Sequence, residues 1–142
     1  MKQNITLMKA LSKTFRHWEI HMKKCAMEVG IPDSYRMILM FLSRHPGANQ
    51  MMIADFADRS RASVNQNVKK MIEDDYIRKE ADEKDQRYTK LYLTEKGIEK
   101  AERLRARLSR SDARITDLVG SAKEQEIIAL LELIRNGLKE EQ

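Results

Sequence analysis

The scarcity of chain-breaking residues constrains the fold of this chain more than any other feature. It holds only 5 glycines and 2 prolines among 142 residues, about 5% where ordinary usage is about 12%. Sandwiches, barrels and loop-rich folds need frequent turns, so this composition disfavours them and predicts long helices. The length suits one domain, or one domain plus the helices that pair it with a copy of itself.

Apolar residues recur at helical spacing in the first and last parts of the chain. Across residues 5–29 they follow one another at steps of three or four, and Gly30 then ends the pattern. This spacing predicts one helix with a buried stripe. Residues 94–118 show a second long pattern, which Gly120 breaks. Ser121–Glu124 has the form of a capping box and predicts the start of a last helix.

The apolar faces of these outer helices are larger than a small domain buries by itself. A second copy related by two-fold symmetry is the simplest way to cover them, so the pattern predicts a homodimer. The alternative is a monomeric helical bundle packed on the central domain.

The central segment predicts three shorter helices. The first, about residues 34–45 and capped by Asp33 or Ser34, is apolar on nearly all sides, which is typical of a helix at the centre of a fold. The second covers 49–57, with four side chains predicted inward: Met52, Ile53, Phe56 and Ala57. Ser60 is a good N-cap for the third, which runs from Arg61 to about Asp74 and has a predicted buried stripe of Val64, Val68 and Met71.

Two segments after residue 75 alternate in the manner of strands. Tyr76–Lys79 and Thr89–Leu93 flank a charged tip, Glu80–Tyr88, and together they predict a long hairpin. Two short helices joined by a tight turn and followed by a hairpin form a winged helix-turn-helix. The predicted fold class is therefore mainly α with a small β-hairpin wing, flanked by N- and C-terminal dimerisation helices.

The third central helix carries polar side chains opposite its buried stripe. The major groove of DNA admits a helix, and there Asn and Gln match an adenine edge while Arg matches guanine. Ser and Lys reach phosphates, and small residues allow close approach. The candidate DNA-binding residues here are Ser60, Arg61, Ala62, Ser63, Asn65, Gln66, Lys69 and Lys70. A merely solvated helix face is the alternative, and the acidic end, residues 73–75, has to tilt away from the duplex.

The hairpin tip supplies three further candidates. Asp85 and Arg87 are two apart, which in an extended segment places them on one side, where the carboxylate can direct the guanidinium. An Arg on an exposed tip fits the narrow minor groove, and Lys84 suits a phosphate. The alternative is a surface ion pair worth about 0–1 kcal/mol that only stiffens the hairpin.

These motifs together resemble the MarR family of bacterial winged-helix regulators, over about residues 31–97. The stretch Asp82–Gly97 is similar to the family's wing signature, an Asp-x-Arg followed by alternating apolar residues and a Leu-Thr-x-x-Gly helix start. His45-Pro46-Gly47 resembles the turn before the family's helix-turn-helix.

The sequence departs from the family pattern at three places. Asp58-Arg59 stands where the family turn commonly has Gly and then an apolar residue, and Asn67 stands where many members carry an apolar core residue. Asp75 stands where Gly often follows the recognition helix. Because Asp tolerates left-handed backbone better than most residues, both turns are feasible with Asp at these positions.

The resemblance implies a homodimer that binds a palindromic operator and represses transcription, or less often activates it, until a small molecule or an oxidant relieves the effect. It implies an N-terminal dimerisation helix (1–31), a winged helix-turn-helix DNA-binding domain (32–95) and C-terminal helices that complete the dimerisation region (96–142). The alternative function is a winged-helix module that binds protein without specific DNA binding.

The resemblance also implies a pocket for aromatic acids between the dimer helices and the winged domain. The candidate ligand-binding residues are His17, Trp18, His21, Met22, Met37 and Met40. Methionines at helical spacing are more often plain core, and that is the alternative. Cys25 lies on the apolar stripe of the first helix, which favours an inert buried thiol over a redox sensor.

Other classes of protein are disfavoured. The sequence has no Gly-rich phosphate loop, no nucleophile with a base and no metal-ligand set, so we expect no enzyme activity, catalytic residue, metal or cofactor. No apolar run approaches the ~18 residues of a membrane span, and no signal peptide is evident. The net charge of +5 fits an anionic partner. The expected partners are double-stranded DNA, a second copy and a small-molecule effector, in the cytoplasm.

Overall fold

The computed structural model describes residues 4–57, 59–85 and 88–142. Within these ranges the chain forms six helices and one antiparallel hairpin, in the order α1 (Leu7–Val29), α2 (Asp33–Arg44), α3 (Gln50–Ala57), α4 (Arg61–Glu73), β1 (Ile77–Ala81), β2 (Thr89–Leu93), α5 (Glu95–Val119) and α6 (Ser121–Glu140). The strands pair from Ile77 with Leu93 to Ala81 with Thr89. Helices α3 and α4 followed by the β1–β2 wing are a winged helix-turn-helix, so the predicted fold class is confirmed.

The chain divides into two compact units, Met1–Arg105 and Ala106–Gln142. The first unit contains α1 to α4, the wing and the first part of α5, and the second contains the rest of α5 and α6. The predicted division at residues 31 and 95 stays a prediction, as do the dimerisation roles assigned to its outer parts.

Several helix ends follow the local signals in the sequence. Helix α1 ends where Gly30 takes the left-handed conformation (φ +81°), and the N–H groups of Gly30 and Ile31 donate to Met27 O and Ala26 O. The Ser60 hydroxyl caps α4 by accepting the Ser63 N–H at 3.2 Å. These two predicted ends are confirmed.

Two predicted caps are wrong. Pro32, rather than Asp33 or Ser34, is the residue before α2, and it offers no side-chain cap. The capping box of α6 does not form, because the Glu124 carboxylate accepts a hydrogen bond from the Thr116 hydroxyl in the last turn of α5. Gly120 precedes α6 with a positive φ of +84° and without a capping side chain.

The core of the first unit lies between α2, α3, α4, the wing and α5. The predicted stripe of α4 is confirmed, since all three of its members are buried. The other fully buried large aliphatic residues include Ile38, Leu39, Leu42, Ile53, Ile77, Leu91 and Leu104. The α4 helix is therefore held by one face against the body, and its opposite face is left to solvent.

The prediction for α3 is partly wrong. Ile53 is buried, but the side chains of Met52 and Phe56 are 47% and 63% exposed, and Ala54 is buried instead. An eight-residue helix buries one face, and Ile53, Ala54 and Ala57 share that face while Met52 and Phe56 lie on the other side. The Phe56 ring still contacts the Phe41 ring, with centroids 4.8 Å apart.

The long apolar stripes are only partly buried within one copy of the chain. Cys25 and Val29 of α1 are buried, as are Ala101 and Leu104 of α5, while α6 has no buried residue. Large apolar side chains remain exposed along these helices and, at Ile5, just before α1: Ile5, Leu7, Met8, Phe15, Trp18, Ile20, Met27, Ile98, Ile115, Leu118, Ile127, Ile128, Leu130, Leu131, Leu133 and Leu138. None of the helices in the described ranges has the length and apolar character to cross a membrane.

Gly97 in the first turn of α5 provides a test of the packing. A Cβ atom at this position would lie 2.3 Å from the Tyr76 carbonyl oxygen, and that backbone atom has little room to move. We expect Gly97→Ala to lower the free energy of unfolding by about 1–3 kcal/mol, the usual cost of overpacking.

The matched control is Gly137→Ala in α6, where an added Cβ meets nothing within 4 Å. This control should raise the stability by up to about 1 kcal/mol through helix propensity. Equal effects in urea denaturation would contradict the close packing at Gly97.

Candidate nucleic-acid interface

The outer face of α4 is polar and accessible. Ala62, Asn65, Gln66, Lys69 and Lys70 are exposed, opposite the buried stripe that holds the helix to the core. The segment from Arg59 to Lys70 holds four basic and no acidic residues. A helix presented in this way has the size and the hydrogen-bonding groups that the major groove accepts.

The amino end of α4 is shaped by its own cap and by α3. Ser60 and Arg61 are exposed and Ser63 is half-buried. Because the Ser60 hydroxyl is engaged by Ser63 N–H, its role in the structure is that of a cap. One Arg61 guanidinium nitrogen lies 3.1 Å from the Met51 sulfur, which directs that side chain along α3. The positive end of the α4 dipole is directed outward here and favours an anion.

A groove of about 520 Å³ connects α4 with the wing. Its lining comes from three elements: Asn49, Gln50 and Met51 at the start of α3, Arg61 and Asn65 on α4, and Tyr88 and Thr89 at the start of β2, beside the wing tip. Arg61 and Asn65 therefore open onto the same groove as the wing. This shared groove is the geometric condition that the DNA-binding hypothesis requires.

Sequence reasoning missed the α3 and wing residues of this groove. The signal for Asn49 was present, because an Asn before a short apolar helix is a common N-cap. The structure shows this cap, with the Met52 N–H donating to Asn49 Oδ1 at 2.9 Å. Tyr88 is an exposed aromatic side chain next to the predicted minor-groove contact. Whether Tyr88 faces the groove depends on how the two strands of the hairpin are paired, and the amino-acid sequence alone does not specify that pairing.

The wing tip is folded back on itself. The Asp82 N–H donates to Tyr88 O, the Tyr88 N–H donates to Asp85 O, and the Lys84 N–H donates to Asp82 Oδ1. The Lys84 side chain is exposed and Asp85 is half-buried. Arg87 lies outside the described residues, as does Gln86, so the predicted pair of Asp85 and Arg87 stays a prediction.

The three acidic residues at the end of α4 are exposed, and one of them is hydrogen-bonded to α2. The Tyr35 hydroxyl donates to Asp74 Oδ2 at 2.6 Å. Asp75 has a left-handed backbone (φ +63°), as its position in the turn predicts. Burial raises the pKa of the Tyr35 hydroxyl well above its usual range, and the hydrogen bond to Asp74 acts in the same direction. Glu73 is exposed and lies one turn beyond Lys69.

The predicted ligand residues are exposed or half-buried, and none of them is fully buried. His17 and Trp18 are exposed, and His21, Met22, Met37 and Met40 are half-buried. The Trp18 ring stacks on Phe15 at 5.6 Å, and the Arg36 guanidinium lies 5.6 Å from the Trp18 centroid. Their role as a ligand site stays a prediction.

The first helix places its cysteine in the interior. Cys25 is fully buried, and its sulfur lies 3.4 Å from His21 Nε2. In the part of the chain that the structure describes, no three His, Cys, Asp or Glu side chains are grouped closely enough to hold a metal ion.

The fold and this interface define a winged helix-turn-helix protein. Within that class, residues 29–87 match the model of the MarR family. The resemblance inferred from the sequence is therefore confirmed: the family model matches the winged-helix part of the chain, and a solved MarR transcriptional regulator shares its fold. No protein with a curated description is significantly similar to this chain in sequence.

Three solved structures illustrate the similarity. A MarR transcriptional regulator from Methanosarcina mazei Go1 is 28% identical with a TM-score of 0.77, over 92% of this chain and 95% of that one. The transcriptional regulator SlyA is 16% identical with a TM-score of 0.84, over 96% of each chain. The transcriptional repressor CouR, bound to a 23-mer DNA duplex, is 22% identical with a TM-score of 0.82, over 92% of each chain. At these low sequence identities, SlyA and CouR show only that the fold is shared.

The exposed amides of α4 give the second prediction. Asn65→Ala and Gln66→Ala should each relax base preference at one position, with a loss of about 1–3 kcal/mol for a good bidentate contact. Competition binding with single-base operator variants measures this loss. Gln125→Ala, on the exposed surface of α6, is the matched control and should leave the preference unchanged. A preference that survives both α4 substitutions would mean that α4 does not read the bases.

Proposed function

We propose that this protein is a sequence-specific DNA-binding transcriptional regulator. The observation that carries the proposal is the groove shared by α4 and the wing, with Arg61 and Asn65 on one side and Tyr88 and Thr89 on the other. Major-groove reading by a helix and a second contact from the wing both require this common face. The similar fold of CouR, which is bound to a DNA duplex, supports the same function.

We propose further that the working form is a homodimer on a palindromic operator. The exposed apolar side chains of α1 and α6 give each copy a large surface that water solvates poorly. A second copy covers such a surface with a two-fold interface, and a two-fold protein reads a palindrome. The two α4 helices would then meet the DNA about one helical turn apart, ~34–36 Å.

We propose that the protein acts in the cytoplasm as a repressor. A dimer bound to its operator excludes other proteins from the same DNA. A small aromatic effector bound near His17, Trp18, His21, Met22, Met37 and Met40 would release it. The aromatic ring of Trp18 and the half-buried methionines are suitable contacts for such a ligand.

Selection of bound sequences from random duplex DNA tests the function directly. We expect a palindrome whose half-sites are centred ~10–10.5 base pairs apart. Affinity for the selected duplex should fall steeply with salt, because binding releases counterions from the phosphates. No enrichment over several rounds, together with binding that is insensitive to salt, would favour a protein-interaction module.

The wing contact has its own test. Arg87→Ala should weaken binding to all duplexes, because a minor-groove Arg meets the most negative potential of the DNA. Lys123→Ala removes one exposed cation from the start of α6 and is the control. We expect the loss of affinity in a fluorescence anisotropy titration to be clearly larger for Arg87→Ala. Equal losses would overturn the assignment of the wing.

A further inference from the structure

The carboxyl end of α4 is held by side chains from two other helices. From α2, the Tyr35 hydroxyl donates to the Asp74 carboxylate at 2.6 Å. From the start of α5, the Lys96 ammonium donates to Asp74 O at 2.8 Å and the Thr94 hydroxyl donates to Asp75 O at 2.5 Å. We call Tyr35, Asp74, Thr94 and Lys96 the α4 anchor.

The turn after α4 is held by backbone hydrogen bonds and by contacts between aromatic rings. The N–H groups of Asp75 and Tyr76 donate to Ile72 O and Met71 O, which closes the helix around the left-handed Asp75. The Lys96 ammonium lies 4.4 Å from the centroid of the Tyr76 ring. The Tyr35 and Tyr76 rings meet edge to face, with centroids 5.5 Å apart. The end of α4 therefore has one defined position relative to α2 and α5.

The stability of α4 alone does not explain why an acidic residue, Asp74, stands at its carboxyl end. A carboxylate at the carboxyl end of a helix faces the negative end of the helix dipole, which is unfavourable. A hydrogen bond from a buried hydroxyl to a carboxylate is stronger than a bond between neutral groups. The Lys96 cation is placed where it offsets the negative end of the helix. The Asp74 carboxylate therefore destabilises an isolated α4 helix, and its contacts with α2 and α5 offset this effect.

We propose that Tyr35, Asp74 and Lys96 are positioning residues, which fix the direction of α4 so that Asn65 and Gln66 meet the bases while Asp74 stays bonded to α2 and α5. This inference rests on the proposed function. Base reading through paired hydrogen bonds requires accurate placement of the helix, whereas attraction to phosphates tolerates tilt. Loss of the anchor should therefore reduce the preference for the operator more than it reduces binding to DNA in general.

A simpler explanation is electrostatic, because Asp74 could act only through its charge, by repelling phosphates. The chain offers variants that separate the two explanations. Tyr35→Phe removes one hydroxyl and leaves every charge unchanged. Lys96→Met retains the apolar stem and loses the bond to Asp74 O. Asp74→Asn removes the charge but retains an acceptor for Tyr35. Asp75→Asn removes a neighbouring charge, suits left-handed backbone and retains the carbonyl that Thr94 contacts.

The experiment compares affinities for the selected operator and for an unrelated duplex, both by fluorescence anisotropy at one salt concentration. We expect Tyr35→Phe, Lys96→Met and Asp74→Ala each to lower the ratio of the two affinities by about fivefold to tenfold, the scale of one ordinary hydrogen bond. Asp74→Asn should restore most of the ratio that Asp74→Ala loses. Asp75→Asn should leave the ratio unchanged.

Hydrogen exchange in the free protein supplies a readout that does not depend on DNA. The amides of Asp74, Asp75 and Tyr76 donate within the closing turn, so they should exchange faster in Tyr35→Phe than in the wild type. The Gly30 amide, which closes α1 in the same way, should exchange at the wild-type rate and serves as the internal control.

Different outcomes reject different statements. An unchanged affinity ratio in Tyr35→Phe and Lys96→Met rejects the anchor while the proposed function stands. Tighter binding of both duplexes by Asp74→Ala, Asp74→Asn and Asp75→Asn, with the ratio unchanged, supports the electrostatic explanation and also rejects the anchor. A wild-type protein that shows no operator preference, but whose turn exchanges faster in Tyr35→Phe, rejects the proposed function and with it any role of the anchor in reading DNA.

Discussion

The close approach of α5 to the turn after α4 is the contact on which the rest of the winged domain depends. Gly97 is buried, and its missing side chain lets the helix backbone reach the Tyr76 carbonyl. The Thr94 N–H donates to that same carbonyl at 3.0 Å. Because β1 begins at Ile77 and β2 ends at Leu93, this one junction fixes the end of α4, both strands of the wing and the first turn of α5.

The junction gives α4 two unlike ends. Its amino end and first turns are basic, exposed and open to the groove, whereas the acidic residues that follow it lie where α2 and α5 supply donors. The two ends of α4 therefore differ in both charge and contacts. Asp74 is exposed, but its carboxylate accepts a hydrogen bond from the buried Tyr35. Because this contact ties the acidic end of α4 to α2, the acids near α4 are compatible with a DNA-reading role for its basic part.

The outer helices have the opposite character, since their large apolar side chains are exposed in one copy of the chain. The first unit has its own buried core, drawn from α2, α3, α4, the wing and α5. In α1 only Cys25, Ala26 and Val29 near its end are buried, and α6 has no buried residue. Their hydrophobic surface is thus available for association, which is the physical basis for the dimer that we propose.

The helices and strands follow from local sequence patterns, because helix periodicity, strand alternation and caps are short-range properties. The stripe of Val64, Val68 and Met71 and the cap at Ser60 are examples that depend on no distant contact. The sequence also indicated the outward face of α4. The tertiary structure alone decided which of these short-range signals prevailed. Glu124 bonds to Thr116 instead of closing a capping box, and Phe56 lies outside although its spacing also fits a buried face. The anchor between Tyr35 and Asp74 joins residues 39 apart, and no local pattern specifies a contact that forms only when the helices pack.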